Sequence, residues 1–246
     1  MDWGWTAPFL VRPTEAEEGA DGRAITDANV ALILLNVPFS VAKLRHFWAM
    51  AGVRICADGG ANRLAQAGED LVPDMIIGDL DSASPEVLDS FRARGVEVRD
   101  LSEDQDTTDL EKAFQASRAA GCSKFVIAGQ HAGVEGRLDH TFGIANTLHE
   151  HKDMPIVVIG DDSCLWLLSP GEHNLPVPHA ADVPHCGLVP LGAPCEAIST
   201  RGLRWNMDGA RMEFGGLVST SNRVEPSSGG AVWVKTSGPV LWMCQL

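Results

Sequence analysis

Six consecutive apolar residues, Val30–Leu35, form a run of the length and kind that a strand covered on both faces requires. The run opens a series. Val41–Ala51 carries apolar residues at helical spacing (Leu44, Phe47, Trp48, Ala51), and a second short strand follows at Val53–Ala57. Met75–Ile77, Val96–Arg99, Phe125–Ala128 and Ile156–Ile159 read as further strands. Between them Glu86–Arg94, opened by Ser84-Pro85, then Thr108–Ala120 and Leu138–His149 read as helices. Strands alternating with helices at this spacing predict an α/β layer on a largely parallel sheet. After Gly160 the texture changes to short alternating stretches at Cys164–Leu168, Cys186–Pro190, Glu196–Thr200, Val232–Thr236 and Val240–Cys244, separated by Gly, Pro and Asn turns. These predict an all-β, jelly-roll-like sandwich. The expected organisation is a flexible, acidic leader at 1–28, an α/β domain at 29–162 and a β-sandwich at 163–246.

Charge and cysteine usage narrow the class. The 246 residues hold 33 acidic and 19 basic side chains, a net charge of −14. A general nucleic-acid binder needs the opposite surplus, and an anionic membrane would repel this chain. The six cysteines form no C-x-x-C pair, and Cys186, Cys195 and His185 have a spacing that fits no usual zinc finger. Reduced, mostly buried thiols are expected. Met1-Asp2-Trp3 lacks the basic start of a signal peptide, and no apolar run reaches the roughly 18 residues of a membrane helix. The expected setting is the cytoplasm.

Four loops at strand ends carry candidate chemistry. Asp58-Gly59-Gly60 joins a strand to a helix, where two glycines let backbone approach a phosphate at a helix N-terminus. A tight turn with Asp58 as helix cap is the plainer reading of that segment. Asp79-Leu80-Asp81 sets two carboxylates one residue apart after an apolar strand, a pattern suited to a hard cation such as Mg2+. Gln105, Asp106, Thr108 and Asp109 stand at the start of a helix; if it begins near Asp106, Asp106 and Asp109 share one face, although acids in a first turn ordinarily just offset the dipole. A third acidic strand-end loop in one sheet points to a shared crevice. Arg137 and Asp139 open another helix, either as phosphate ligand and its orienting acid or as a surface ion pair. In the second half Trp205, with Ser219, Ser221 and Asn222, offers a ring and a set of small polar groups for an aromatic ligand, or a core Trp beside a hydroxyl-rich hairpin. No Walker-type G-x-x-x-x-G-K-[ST] and no G-x-S-x-G elbow occur.

Taken in order, ICADGGANRL, PDMIIGDLDS, SEDQDTTDLEKA, GRLDHTFGIANTL, LLSPGEH, CGLVPLGAPC, GLRWN and FGGLVSTSN resemble the thiamine pyrophosphokinase family, in its eukaryotic branch, across nearly all of residues 30–246. Leu80 and Leu138 stand where that family usually has Phe, and the 129–136 glycine loop is longer than usual. The resemblance implies transfer of a pyrophosphoryl group from ATP to the hydroxyl of thiamine with Mg2+, giving thiamine diphosphate and AMP. It implies a catalytic nucleotide- and metal-binding α/β domain, a thiamine-binding β-sandwich and a homodimer with active sites between subunits. By position it assigns Asp79, Asp81 and Asp109 to the metal and Arg137 to catalysis. Asp58, Gly59, Gly60, Gln105, Thr108 and Asp139 fall on nucleotide-side positions. Trp205, Ser219, Ser221 and Asn222 fall on the thiamine side. A D-x-D transferase using a nucleotide sugar would instead release a nucleoside diphosphate without thiamine. A non-catalytic thiamine- or nucleotide-binding sensor would bind without turnover.

Overall fold

The computed structural model describes residues 27–130, 137–177, 184–228 and 231–246. Residues 1–26 of the expected leader and 131–136 of the glycine loop lie outside them. The described chain divides into two compact units, one of residues 27–144 and 156–161, the other of 145–155 and 162–246.

The first unit is built on six parallel strands: β1 (Asp27–Leu34), β2 (Ala51–Ala57), β3 (Met75–Gly78), β4 (Glu97–Asp100), β5 (Lys124–Gln130) and β6 (Ile156–Gly160). Their spatial order is β6-β5-β1-β2-β3-β4. β1 therefore lies centrally, its Leu32 flanked by Arg54 of β2 and Val126 of β5. Each residue of Val30–Leu34 is at most 1% exposed, the double-sided burial that the apolar run requires. The strand begins three residues before that run, because Asp27 accepts a hydrogen bond from the Asn29 amide at 2.9 Å and pairs with Lys124 at 3.2 Å. Polar anchoring extends a strand beyond what hydrophobicity alone marks.

Helices α1 (Val41–Met50), α2 (Gly60–Ala67), α3 (Pro85–Ala93) and α4 (Asp109–Ala119) connect these strands. A fifth, α5 (Leu138–Glu150), begins in this unit and ends in the other. α4 packs across β1, β2 and β3. Leu110, Ala113, Phe114 and Ser117, all buried, recur at the i, i+3, i+4, i+7 spacing of one helix face. Phe114 packs against Phe125 of β5 as a tilted ring pair with centroids 4.4 Å apart. Since the chain runs outward from β1 to β4 and then returns to place β5 on the other side of β1, the sheet changes direction between β1 and β5. Ligands bind at such switch points, beyond the carboxyl ends of the strands.

The second unit is antiparallel. Four strands stand in the order β12-β9-β14-β7, and a separate four-stranded sheet has the order β11-β10-β13-β8. Their spans are β7 (Ser163–Leu168), β8 (Gly171–Pro176), β9 (His185–Pro190), β10 (Cys195–Arg201), β11 (Ala210–Met212), β12 (Ser219–Arg223), β13 (Ala231–Thr236) and β14 (Val240–Gln245). Strands β8 and β11 have no counterpart in the sequence reading, and β12 falls where a hydroxyl-rich hairpin is one of its two alternatives. GEHNLP, ARM and STSNR carry little apolar alternation and become strands by pairing with β13, β10 and β9. Cys164, Cys244 and Cys186 lie side by side across β7, β14 and β9. Burial pushes the Cys186 and Cys244 thiols up to about 12, so they serve as small apolar groups at neutral pH.

Phe114→Ala should lower unfolding free energy by about 3–5 kcal/mol, read by urea denaturation, because it opens a cavity under the central strands. His173 on β8 is 2% exposed, its Nε2 lies 2.7 Å from the Ser169 carbonyl and its Nδ1 has no partner among the described residues. Burial depresses its pKa below the ordinary 6.5, so the unfolded chain takes up a proton more readily than the folded one. The neutral ring is thus tolerated above about pH 6.5, and stability is lost as the pH falls through that value. In His173→Gln, which keeps a donor and does not titrate, the urea midpoint should fall less between pH 7.5 and 5.5 than in the parent.

Candidate active site

At the carboxyl ends of the parallel strands lies a cleft of about 1020 Å3 lined entirely by residues of the first unit. Its acidic centre is Asp58, Asp79 and Asp109, whose nearest carboxylate oxygens all lie within 4.8 Å of one another. Three separate turns deliver them. Asp58 follows β2 in a left-handed conformation (φ 44°), and its Oδ1 accepts hydrogen bonds from the Ser82 and Ala83 amides at 3.3 and 3.2 Å. That carboxylate thereby clamps the loop after β3. Asp79 follows β3, and its amide donates to Asp109 Oδ1 at 3.1 Å. Asp109 is the first residue of α4, which Thr108 caps by accepting from the Glu111 amide at 3.2 Å.

Crowding three carboxylates costs free energy. Burial first, and the charge of Asp79 second, raise the Asp109 carboxyl above its ordinary value. Lys112, one helical turn on and 5% exposed, offsets part of this with its Nζ 3.4 Å from Asp109 Oδ1. The donor set consists of hard oxygens in partial burial with excess negative charge, which fits Mg2+. Gly78 makes the approach possible. A Cβ there would lie 2.9 Å from the Asp58 Cβ and 3.0 Å from Asp109 Oδ1, at a φ of +157°.

Among the expected metal ligands, Asp79 and Asp109 meet, and Asp58, expected on the nucleotide side, joins them. Asp81 also lines the cleft but stands outside the triad, its Oδ1 accepting from the Ser82 hydroxyl at 2.9 Å. Leu80 between Asp79 and Asp81 is left-handed (φ 60°), a conformation costly for a bulky residue and characteristic of functional loops. Gln105 and Thr108 line the same cleft. Arg137 and Asp139 line it too, joined to each other by two hydrogen bonds and both exposed. Gly59 and Gly60 have packing reasons: a Cβ at either would lie 2.3 Å from Asn36 Nδ2 or from the Leu34 carbonyl oxygen. Asn36, Arg63 and Lys112 line the cleft without being sequence candidates. The i, i+3 spacing of Asp109 and Lys112 on one helix carried that signal.

In the second unit, the buried Asn222 side chain is committed to local structure. Its Nδ2 donates to the Trp205 carbonyl at 2.9 Å and to Ser219 Oγ at 3.1 Å, while its Oδ1 accepts from the Trp205 amide at 3.2 Å. Asn222 therefore fixes the backbone of Trp205, a residue 56% exposed whose ring lies beneath the Arg204 guanidinium at 5.0 Å. Ser221 is the third left-handed non-glycine residue among those described (φ 60°) and sits where the β12–β9 register shifts. Such an irregularity re-aims side chains out of a strand.

The first unit thus carries an acidic cleft at the carboxyl ends of a parallel sheet, and the second unit is antiparallel. The family model described as thiamin pyrophosphokinase, catalytic domain, matches residues 44–158, and that described as thiamin pyrophosphokinase, vitamin B1 binding domain, matches residues 172–241. Thiamine pyrophosphokinase 3 of Oryza sativa subsp. japonica is 38% identical over 238 residues, covering 89% of this chain and 88% of its own. Thiamine pyrophosphokinase 1 of Arabidopsis thaliana is 36% identical over 236 residues, covering 88% and 86%. The solved thiamin pyrophosphokinase of Candida albicans shares the fold, with a TM-score of 0.76 at 23% identity over 89% of each chain. The chain belongs to the thiamin pyrophosphokinase family.

Gly78→Ala should leave the sheet folded and separate the triad. Mn2+ binding, read by loss of the free-ion electron paramagnetic signal, should weaken about 10–100-fold.

Proposed function

We propose that the chain transfers the pyrophosphoryl group of ATP to the hydroxyl of thiamine, releasing AMP and thiamine diphosphate. The observation that carries this reading is the meeting of three carboxylates in one strand-end cleft, on a chain that matches the family's catalytic and vitamin-binding domains. The thiamine oxygen attacks the β-phosphorus, and the bond from that phosphorus to the oxygen bridging it to the α-phosphorus breaks. One of the cleft carboxylates accepts the hydroxyl proton, and AMP departs with the bridging oxygen. Positioning and electrostatic stabilisation supply most of such a rate.

Asp79, Asp109 and Asp81 are assigned to hold Mg2+, with Asp58 joining them on the strength of its place in the triad. When bound, that cation offsets the charge of the phosphates and polarises them towards attack. Arg137, oriented by Asp139, offsets charge developing on the transferred group. Gln105 and Thr108 contact the nucleotide from the cleft wall, and Gly59 and Gly60 keep the start of α2 close to it. Residues 163–246 form the thiamine-binding domain, and residues 29–162 the catalytic one. In residues 163–246 Trp205 stacks on the vitamin, Ser219 and Ser221 hydrogen-bond it, and Asn222 positions Trp205. A homodimer with active sites between subunits is part of the same proposal. So is a cytoplasmic setting, which suits six free, buried cysteines.

Incubation with ATP, Mg2+ and thiamine should yield AMP and thiamine diphosphate in equal amounts by chromatography. ADP with thiamine monophosphate would overturn the reading. Asp79→Asn and Asp109→Asn should each lower kcat on the order of 10²–10³-fold, the scale expected for losing one electrostatic contact to a transition state.

A further inference from the structure

Among the described residues three Lys or Arg side chains line the cleft: Arg63, Lys112 and Arg137. Two of them are already committed. Lys112 faces Asp109, and Arg137 is bound to Asp139. Arg63 forms no ion pair with any described carboxylate, although the cleft wall carries Asp58, Asp79, Asp81, Asp104, Asp106 and Asp109. Its Nε donates to the Asn36 side-chain oxygen at 3.1 Å. That single bond orients the planar guanidinium and leaves its two terminal nitrogens without a described partner.

The surroundings of this arm are built, not incidental. Asn36 follows β1, next to the point between β1 and β5 where the strand order reverses. It fits only because Gly59 lacks a side chain, a Cβ there falling 2.3 Å from Asn36 Nδ2. Gly60 likewise lets α2 begin against the Leu34 carbonyl, which sets Arg63, one turn into α2, over the same end of the sheet. The cleft is therefore polarised. Carboxylates carried after β2, β3 and β4 line most of it, and a guanidinium without a described ion pair stands beside Asn36, which follows β1. A polyphosphate ester brought to the carboxylates by a cation still carries anionic oxygens on its far side, and a forked donor suits them.

We infer that Arg63 is the anchor for a nucleotide phosphate at the β1 side of the cleft, and that Asn36 is the positioning residue that aims it. The inference rests on the nucleotide-dependent reading above. It assigns to the Gly59-Gly60 turn the task of admitting Asn36 and Arg63, beyond any contact of its own with phosphate.

The test uses the full chain, with calorimetric titration of AMP and of inorganic pyrophosphate as separate arms, alongside steady-state kinetics. Arg63→Met should raise KM for ATP roughly 10–100-fold, the worth of a charge-assisted fork, with KM for thiamine within about twofold of the parent. Arg63→Lys should recover part of the loss, because it restores charge without the fork. Asn36→Ala should give a smaller rise in the same constant with kcat preserved within about twofold. Weakened AMP binding alone would place the anchor on the nucleoside-bearing phosphate, and weakened pyrophosphate binding alone on the transferred group; both support it. Arg63→Met and Arg63→Lys that bind both anions and ATP as the parent does would overturn it, while the parent's turnover would keep the proposed function. Equal losses for ATP and thiamine, or a fall in kcat with no change in ATP affinity, would also overturn it. A parent chain that binds neither ATP nor its fragments would sink the proposed function itself, and the anchor with it.

Discussion

Mutual repulsion among Asp58, Asp79 and Asp109 is the constraint around which the first unit is arranged. Three carboxylates within 4.8 Å would push one another apart if they were carried on flexible loops. Each is instead fixed by backbone. Asp58 is fastened by the Ser82 and Ala83 amides, and Asp109 accepts from the Asp79 amide while starting a capped helix. The left-handed backbones of Asp58 and Leu80 are a second cost borne in the same few residues. Burial of α4 on β1, β2 and β3 supplies the rigidity that keeps such an arrangement from relaxing.

Much of this was legible in the sequence, and the limits have physical causes. Double-sided burial marked β1, β2, β3, β5 and β6, since a parallel sheet needs near-continuous apolar runs. The polar strands β8, β11 and β12 left no such mark, because their pairing partners and not their own side chains hold them. The acidic loops were visible as candidates, yet a linear D-x-D pattern favours Asp79 with Asp81. Only the fold shows that Asp81 turns to Ser82 while Asp58, twenty-one residues before Asp79, closes the triad. Arg63 was hidden for a related reason. A cation is notable when its acid partner is missing, and partners are a property of space, not of order.

The second unit applies the same economy with neutral groups. Asn222 spends its amide on the backbone of Trp205 and on Ser219, a small network in which each buried polar atom named has a partner. The cost of burying an amide is thereby met locally, and the indole remains outside. In both units a buried polar side chain disciplines the main chain so that a neighbour can face solvent.

The open indole of Trp205 has an optical corollary. The chain contains no tyrosine, so its near-ultraviolet emission arises from tryptophan alone. Among the described indoles, Trp166 and Trp242 are buried, Trp48 and Trp233 are partly covered, and Trp205 is exposed. Water relaxes around an exposed excited ring and shifts its light to longer wavelength, so Trp205 contributes at the red edge of the spectrum. Trp205 is thus also a native fluorophore reporting from the second unit of the molecule.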